Sequence, residues 1–154
     1  MNEETETISL TVSRYLPATP EQVFDAYTDR DKQLIWFSIL DEEPGVVRIE
    51  VDLKVGGEQK AVWGPSEDEL FWETQVFRVI DRPHRLVTTS TGGDPSGGTM
   101  TTEVEVTFEP QGDGTLMTIV QSGFTDTDTR DFFQSVALIG AFDRIEAYLA
   151  SVSS

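Results

Sequence analysis

The C-terminal stretch 128–152 constrains the fold more than any other part of the chain. Apolar residues recur there at alternating spacings of four and three, the period of one helical face: Leu138, Phe142, Ile145, Leu149 and Val152. A helix with so continuous a stripe needs a concave apolar surface to pack against. Gly140 lies in its middle, where glycine costs about 1 kcal/mol relative to alanine. Either another segment approaches that backbone closely or space beside it is kept open.

Between residues 46 and 123 the periodicity changes to the two-residue alternation of half-buried strands. It predicts six strands, at 46–54, 58–63, 70–80, 85–91, 99–108 and 115–123. Turn-forming residues separate them, notably at 56–57, 64–69 and 110–114, and 92–98 is predicted to be a flexible glycine-rich loop. A seventh strand is predicted at 7–16, ahead of all the others.

Two short helices are predicted between the first two strands. Thr19 is a suitable N-cap, Pro20 suits the first helical position, and Gln22 completes a capping box. A second helix is predicted over 30–37. The order of strand, two short helices, six strands and long helix predicts one α+β domain over 1–154, with residues 1–6 disordered and the long helix packed on a curved antiparallel sheet.

Composition excludes several classes of function. The chain has 154 residues and a net charge of −17, with 28 acidic and 11 basic side chains, so a basic nucleic-acid footprint is not expected. It has no cysteine for disulfide or thiolate chemistry. No apolar run approaches the roughly 18 residues of a membrane span, and the acidic N-terminus lacks the features of a signal peptide. We therefore expect a cytoplasmic protein with a solvated acidic coat, or alternatively a docking face for a basic partner.

An ordered set of segments resembles the helix-grip fold of the START and Bet v 1 superfamily (SRPBCC). Within it, they resemble most closely the proteins related to the C-terminal domain of the activator of Hsp90 ATPase (AHSA1). The resemblance is carried by Trp36 and by five segments, RYLPATPEQVFDAYTD (14–29), DLKVGG (52–57), DRPHRLV (81–87), VTFEPQGDGT (106–115) and FDRIEAYL (142–149). It implies a curved antiparallel sheet of about seven strands wrapped around the C-terminal helix. The family it implies includes ligand carriers, sensors, cyclases and co-chaperones.

Several positions that are bulky in this family are small or polar here. Ala137 and Leu138 replace a Gly-Trp pair, and Gln59 and Ala61 stand where aromatic residues are frequent. Thr88 and Ser90 replace an aromatic residue and a tryptophan. These departures predict a larger or wetter space between sheet and helix.

Strand parity and the resemblance together predict a set of inward-facing residues. On the sheet these are Gln59, Ala61, Trp63, Gln75, Phe77, Thr88, Ser90, Met117, Ile119 and Gln121, and they face Phe133, Ala137 and Gly140 of the helix. With Trp36 they form the predicted ligand-binding set. Burying unpaired amides is costly, so the glutamines favour a pocket over an ordinary core with a few hydrogen-bonded polar groups. Parity within 70–80 stays open, because Trp72 and Phe77 lie on opposite faces of an unbroken strand.

The predicted function is non-catalytic binding of a small hydrophobic molecule (lipid, polyketide or aromatic). No catalytic residue, metal site or cofactor is predicted, and His84, the only histidine, suits a turn. Two alternatives remain. One is regulation of an Hsp90-type chaperone, expected less because the chain lacks the additional N-terminal domain of full co-chaperones. The other is a polyketide cyclase-like cavity enzyme using Glu73, although Glu73 is interpreted as a solvated strand carboxylate. Neither nucleic acid nor membrane insertion is expected, and the chain is expected to be a monomer or homodimer.

Overall fold

The computed structural model describes residues 8–41 and 45–152; the expectations for residues 1–6 and for Thr7 lie outside this range. The elements follow the predicted order: β1 (Ile8–Leu16), α1 (Pro20–Thr28), α2 (Arg30–Trp36), β2 (Val46–Val51), β3 (Glu58–Ser66), β4 (Glu69–Asp81), β5 (Arg85–Gly93), β6 (Thr99–Gln111), β7 (Gly114–Phe124), α3 (Thr127–Phe132), a π-helical segment (Phe133–Ala137) and α4 (Leu138–Val152). The α+β helix-grip architecture is confirmed.

All seven strands belong to one antiparallel sheet with the order β1-β7-β6-β5-β4-β3-β2. Strands from β2 to β7 pair with their neighbours in sequence, whereas β1 pairs with β7 from Ile8↔Phe124 to Leu16↔Thr115. The chain's first and last strands are therefore neighbours. The sheet is curved, and α1, α2 and α4 contribute to the core on its concave face, which we call the inward face.

The capping box of α1 is confirmed. The Thr19 Oγ1 accepts from the Gln22 backbone N–H at 3.2 Å, and the Gln22 Oε1 accepts from the Thr19 N–H at 2.9 Å. Just before it, the buried Thr115 hydroxyl donates to the Ala18 carbonyl at 2.7 Å. The start of α1 is thus fixed both by its own cap and by β7.

Helix α4 is anchored to the core by apolar burial and to β1 by charge. Phe142, Ile145 and Leu149 are almost fully buried. On the flank of the helix, Arg14 of β1 pairs with Asp143 at 3.0 Å and with Glu146 at 2.7 Å. Its guanidinium also lies 5.4 Å from the centre of the Phe142 ring, a cation–π distance.

Strands β3 to β7 extend further into the predicted turns. The predicted loop 92–98 begins later because Gly92 and Gly93 pair with Met100 and Thr99 inside β5. Trp72 explains the glycine at 93, since a Cβ there would lie 2.3 Å from the indole nitrogen. The predicted turn 110–114 shrinks to a two-residue hairpin turn in which Gly112 adopts a φ of +59°, a conformation typical of hairpin turns.

Strand β2 is shorter than predicted and ends at Val51. The residues after it form the turn to β3, in which Gly56 adopts a φ of +85°. The Gly56 N–H donates to the Phe77 carbonyl at 2.8 Å, and the Phe77 N–H donates to the Gly57 carbonyl at 3.0 Å. This turn therefore bonds to β4 as well as to β3, where the Glu58 carbonyl accepts from the Asp52 N–H at 2.9 Å.

The predicted long C-terminal helix is present, but its hydrogen bonding changes over 133–137. There the bonds are π-helical, for example from the Leu138 N–H to the Phe133 carbonyl. A π-helical turn contains an extra residue, which rotates the following side chains by about 100°. Consequently α3 and α4 do not share one buried stripe, and no side chain of α3 or of the π-helical segment is buried.

We expect Phe142→Ala to lower the free energy of unfolding by about 3–5 kcal/mol, because it removes a fully buried ring and leaves a cavity. Val136→Ala is the matched control on the same helix, since Val136 is 55% exposed and its truncation should change stability by less than about 0.5 kcal/mol. Urea denaturation measures both. Equal effects would contradict the assignment of α4 as the anchor.

Candidate functional site

Polar side chains cross the inward face of five neighbouring strands. They are Gln59 on β3, Glu73 and Gln75 on β4, Thr88 and Ser90 on β5, Thr102 on β6 and Gln121 on β7, and we call them the polar band. Strand register places them side by side: Gln59 pairs with Gln75, Gln75 with Ser90, and Ser90 with Thr102. Five of the seven are buried, namely Gln75, Thr88, Ser90, Thr102 and Gln121.

Hydrogen bonds connect Thr88, Gln75 and Ser90 of the polar band to Glu73. The Thr88 hydroxyl donates to the Gln75 Oε1 at 2.7 Å, and the Gln75 Nε2 donates to the Glu73 Oε1 at 3.2 Å. The Ser90 hydroxyl donates to the Glu73 Oε2 at 2.7 Å. Both carboxyl oxygens of Glu73 therefore accept a hydrogen bond from a neighbouring strand or residue.

The interpretation of Glu73 as a solvated carboxylate was wrong, because Glu73 is half-buried on the inward face. Alternation is regular from Phe71 to Phe77, so Glu73 shares the face of Gln75 and Phe77. The register shifts between Phe77 and Val79, which marks a β-bulge. This bulge resolves the parity of the strand and leaves Trp72 on the outer face.

Burial raises the pKa of the Glu73 carboxyl above its usual range, and the hydrogen bonds from Ser90 and Gln75 oppose that shift. Tyr27 of α1 lies close enough to Glu73 for the two groups to interact electrostatically. Burial raises the pKa of its hydroxyl, and the nearby charge of Glu73 raises it further. A partly desolvated carboxyl of the polar band and a partly desolvated phenol of α1 therefore lie near each other.

Three aromatic rings form a cluster that begins one pleat repeat from Glu73 on the inward face. Trp63 pairs with Phe71 across β3 and β4, and their rings stack with centres 6.0 Å apart. Phe37, which follows α2, contacts the Trp63 ring edge-on at 6.1 Å. Glu73 is two residues from Phe71 on the same strand, so their side chains share one face and lie about 7 Å apart along the strand.

The predicted site residues of the sheet share the inward face. Ala61, Phe77, Met117 and Ile119 are buried, as are Gln75, Thr88, Ser90 and Gln121, whereas Gln59 and Trp63 are half-buried. Trp36 is also buried, and its indole N–H donates to the Ala26 carbonyl at 2.7 Å. Trp36 therefore links α2 to α1.

The predicted helix residues are arranged differently. Phe133, Ala137 and Gly140 are all half-buried, and the Phe133 ring packs 5.4 Å from the Phe124 ring at the end of β7. No backbone approaches Gly140 closely: a Cβ there would meet only the Arg144 Nη1, at 3.2 Å. That guanidinium pairs with Asp41 at 3.2 Å, so the glycine leaves room for Arg144.

Sequence reasoning missed Phe71, Tyr27, Gln33 and Thr102. Phe71 and Glu73 could have been found by extending the alternation of Gln75 and Phe77 by four residues. Gln33 of α2 donates to the Gln59 Oε1 at 3.0 Å and to the Tyr27 carbonyl at 2.6 Å. A polar residue in a short helix gives no signal that it turns inward.

Two surface concavities lie away from the polar band. One is bordered by Glu50, Asp52, Lys54, Glu58 and Lys60 around the β2–β3 turn. The other lies between α1, α2 and the end of α4, beside Gln22, Lys32 and Tyr148. His84 is exposed in the β4–β5 turn, as predicted. Among the described residues, no cluster of three or more metal-ligating side chains occurs, and no helix is long and apolar enough to cross a membrane.

The fold and its inward site define a helix-grip protein, and the chain belongs to the family described as activator of Hsp90 ATPase homolog 1-like protein, whose model matches residues 17–150. The predicted family is confirmed. No curated protein sequence matches the chain.

Solved structures support the fold. A putative uncharacterized protein from Rhizobium leguminosarum has a TM-score of 0.76 at 20% identity, covering 95% of this chain and 96% of that one. The Mll3558 protein from Rhizobium loti has a TM-score of 0.74 at 20% identity, covering 93% and 97%. DynU16, a putative protein in the dynemicin biosynthetic locus, has a TM-score of 0.71 at 15% identity, covering 92% of this chain and 47% of that one.

We expect Glu73→Gln to stabilise the protein at pH 7 relative to wild type, by on the order of 1 kcal/mol, and this advantage to disappear as pH falls toward about 4. A carboxyl whose folded-state pKa is raised contributes stability that is complete below its unfolded-state pKa of about 4.3 and is lost as pH rises through the folded-state pKa. The glutamine lacks this titration. Thermal unfolding from pH 4 to 7 measures the difference.

The matched control is Glu50→Gln, which neutralises an exposed carboxylate on β2. Its effect on the melting temperature should not show the same trend. If Glu73→Gln and wild type differ by a constant amount across this pH range, Glu73 is not held in a desolvated site.

Proposed function

We propose that this chain binds a small, mainly apolar molecule bearing a polar group, such as a lipid, polyketide or aromatic compound. The molecule would lie between the inward face of the sheet and the N-terminal half of the C-terminal helix. The observation that carries this proposal is the polar band, which puts amide, hydroxyl and carboxyl groups on the inward face of the sheet.

The site has hydrogen-bonding capacity that its own side chains do not use. The Gln33 Oε1 is buried and accepts no hydrogen bond, an arrangement that costs about 1–3 kcal/mol. Among the described residues, the Tyr27 hydroxyl also makes no hydrogen bond. A ligand's polar group would find both a donor and an acceptor here.

The first part of the C-terminal helix supports the same proposal. Phe132 and Val136 are 53% and 55% exposed, so α3 and the π-helical segment present apolar side chains that no core covers. π-helical turns are frequent at functional sites because they interrupt regular helix packing. This segment would form the lid of the binding site, and α4 would keep its position.

A second candidate is a cavity enzyme of the polyketide cyclase kind, which Glu73 favours. A half-buried carboxyl whose pKa is raised by burial is suited to general acid–base catalysis. The candidate predicts that Glu73→Gln abolishes turnover but keeps binding. Regulation of an Hsp90-type ATPase is supported by the description of the matching family, and stimulation of such an ATPase by the purified chain would test it.

To test ligand binding, native mass spectrometry of the freshly purified protein should detect a co-purified small molecule. Ala61→Phe should reduce its occupancy at least tenfold, since Ala61 is 2% exposed beside Gln59 and opposite Glu73, and a phenyl ring there would crowd both side chains. Overpacking of this kind costs about 1–3 kcal/mol, so the variant should stay folded.

Val62→Phe is the matched control, because the neighbouring residue points to the outer face of the same strand. It should retain full occupancy. The binding proposal fails if neither wild type nor the control carries a molecule and apolar probes bind all three proteins equally.

A further inference from the structure

The charge balance of the polar band identifies a class of ligand, and this inference rests on the binding function proposed above. Glu73 is the only carboxyl in the polar band, whose other members are amides and hydroxyls. None of the ion pairs among the described residues includes Glu73. Arg14 is the basic residue on the inward side of β1, and it is already paired with Asp143 and Glu146. Glu73 is therefore an inward acid without a cation.

The local hydrogen bonds suit the ionised form of Glu73. A carboxylate accepts hydrogen bonds at both oxygens, and here the Ser90 hydroxyl and the Gln75 amide supply one donor to each. These bonds also fix the orientation of the carboxyl plane. Since an ionised carboxylate offers about four acceptor positions, a further donor can bind to it.

Aromatic rings beside Glu73 complete a recognisable arrangement. Trp63 and Phe71 are one pleat repeat away, about 7 Å along the strands, and Phe37 packs on Trp63. Aromatic faces attract organic cations through the ring quadrupole, and tryptophan does so most strongly. Phe71 is 39% exposed, so part of this cluster is accessible.

We propose that the ligand of this site is an amphiphilic organic cation, an amine or quaternary ammonium compound, with its charge held by Glu73 and the rings of Trp63 and Phe71. The net charge of −17 acts in the same direction, because it raises the local concentration of cations and repels anionic amphiphiles.

The test compares three probes of equal chain length: decyltrimethylammonium, decanol and decanoate. Isothermal titration calorimetry at pH 7.5 and physiological salt measures their affinities below micellar concentrations. We expect decyltrimethylammonium to bind wild type at least tenfold more tightly than decanol, and decanoate to bind most weakly. Glu73→Gln should remove the preference for the ammonium and leave decanol affinity within about threefold.

Two further variants separate the site from the acidic surface. Glu50→Gln removes one exposed charge and should keep the full preference for the ammonium. Phe71→Leu retains an apolar side chain without a ring and should weaken the ammonium several-fold more than decanol. It also tests the inference independently of Glu73→Gln.

The outcomes distinguish the two proposals. If decanol binds wild type as tightly as decyltrimethylammonium and Ala61→Phe abolishes both, the site binds ligands but the cation inference is overturned. An ammonium preference that survives in both Glu73→Gln and Phe71→Leu overturns it as well. If none of the three probes binds wild type, both this inference and the proposed binding function fail for amphiphiles.

Discussion

Burial of Phe142, Ile145 and Leu149 against the inward face of the sheet holds the C-terminal helix in place, and the other parts of the site depend on that contact. Each such side chain contributes about 1.5–3 kcal/mol when removed from water. Arg14 adds a directional restraint by pairing with two acids of the same helix. This anchor begins at Phe142. The residues before Phe142 do not have to fit the core in this way. A π-helical segment and exposed apolar side chains can therefore occur there.

The polar band, unlike the α4 anchor, is held together by hydrogen bonds rather than by apolar burial. Aliphatic side chains at positions 88, 90 and 121 could be buried without any hydrogen bond. The polar side chains that stand there, Thr88, Ser90 and Gln121, must each find a hydrogen-bond partner. Their partners are other members of the band: Thr88 and Ser90 belong to the bonds around the half-buried Glu73, and the Gln121 amide donates to the Thr102 hydroxyl at 2.8 Å. Such an arrangement contributes less to stability than an apolar core would. A role in recognition gives a physical reason for its presence.

The sequence predicted the fold well because its strongest signals are local. The capping box at Thr19 and the two-residue alternation of the strands are fixed by neighbouring residues, and both are confirmed. Gly92 and Gly93 misled the prediction of a loop, since glycine usually marks a turn. Here Gly93 is required inside a strand by the Trp72 ring opposite it, which is a contact between strands.

The site was only partly predictable for the same reason. The inward set followed from parity, but the parity of β4 stayed open because Trp72 and Phe77 lie on opposite faces, and Glu73 was interpreted as a solvated carboxylate although it is half-buried. The role of Gly140 depends on Arg144 and Asp41, two side chains that no helical pattern brings together. Gln33 and Tyr27 reach the site from separate helices, so their positions depend on tertiary packing alone.

The acidic surface and the inward carboxyl together restrict what this chain can hold. An anionic amphiphile would meet a repulsive field on approach and a second negative charge inside, where low polarity strengthens the repulsion. A neutral molecule would leave Glu73 to bear its desolvation without compensation. In the proposed complex a cation would offset that cost, because its charge would stabilise the ionised carboxyl that Ser90 and Gln75 already orient. The electrostatics therefore favour a cation at both stages, approach and binding.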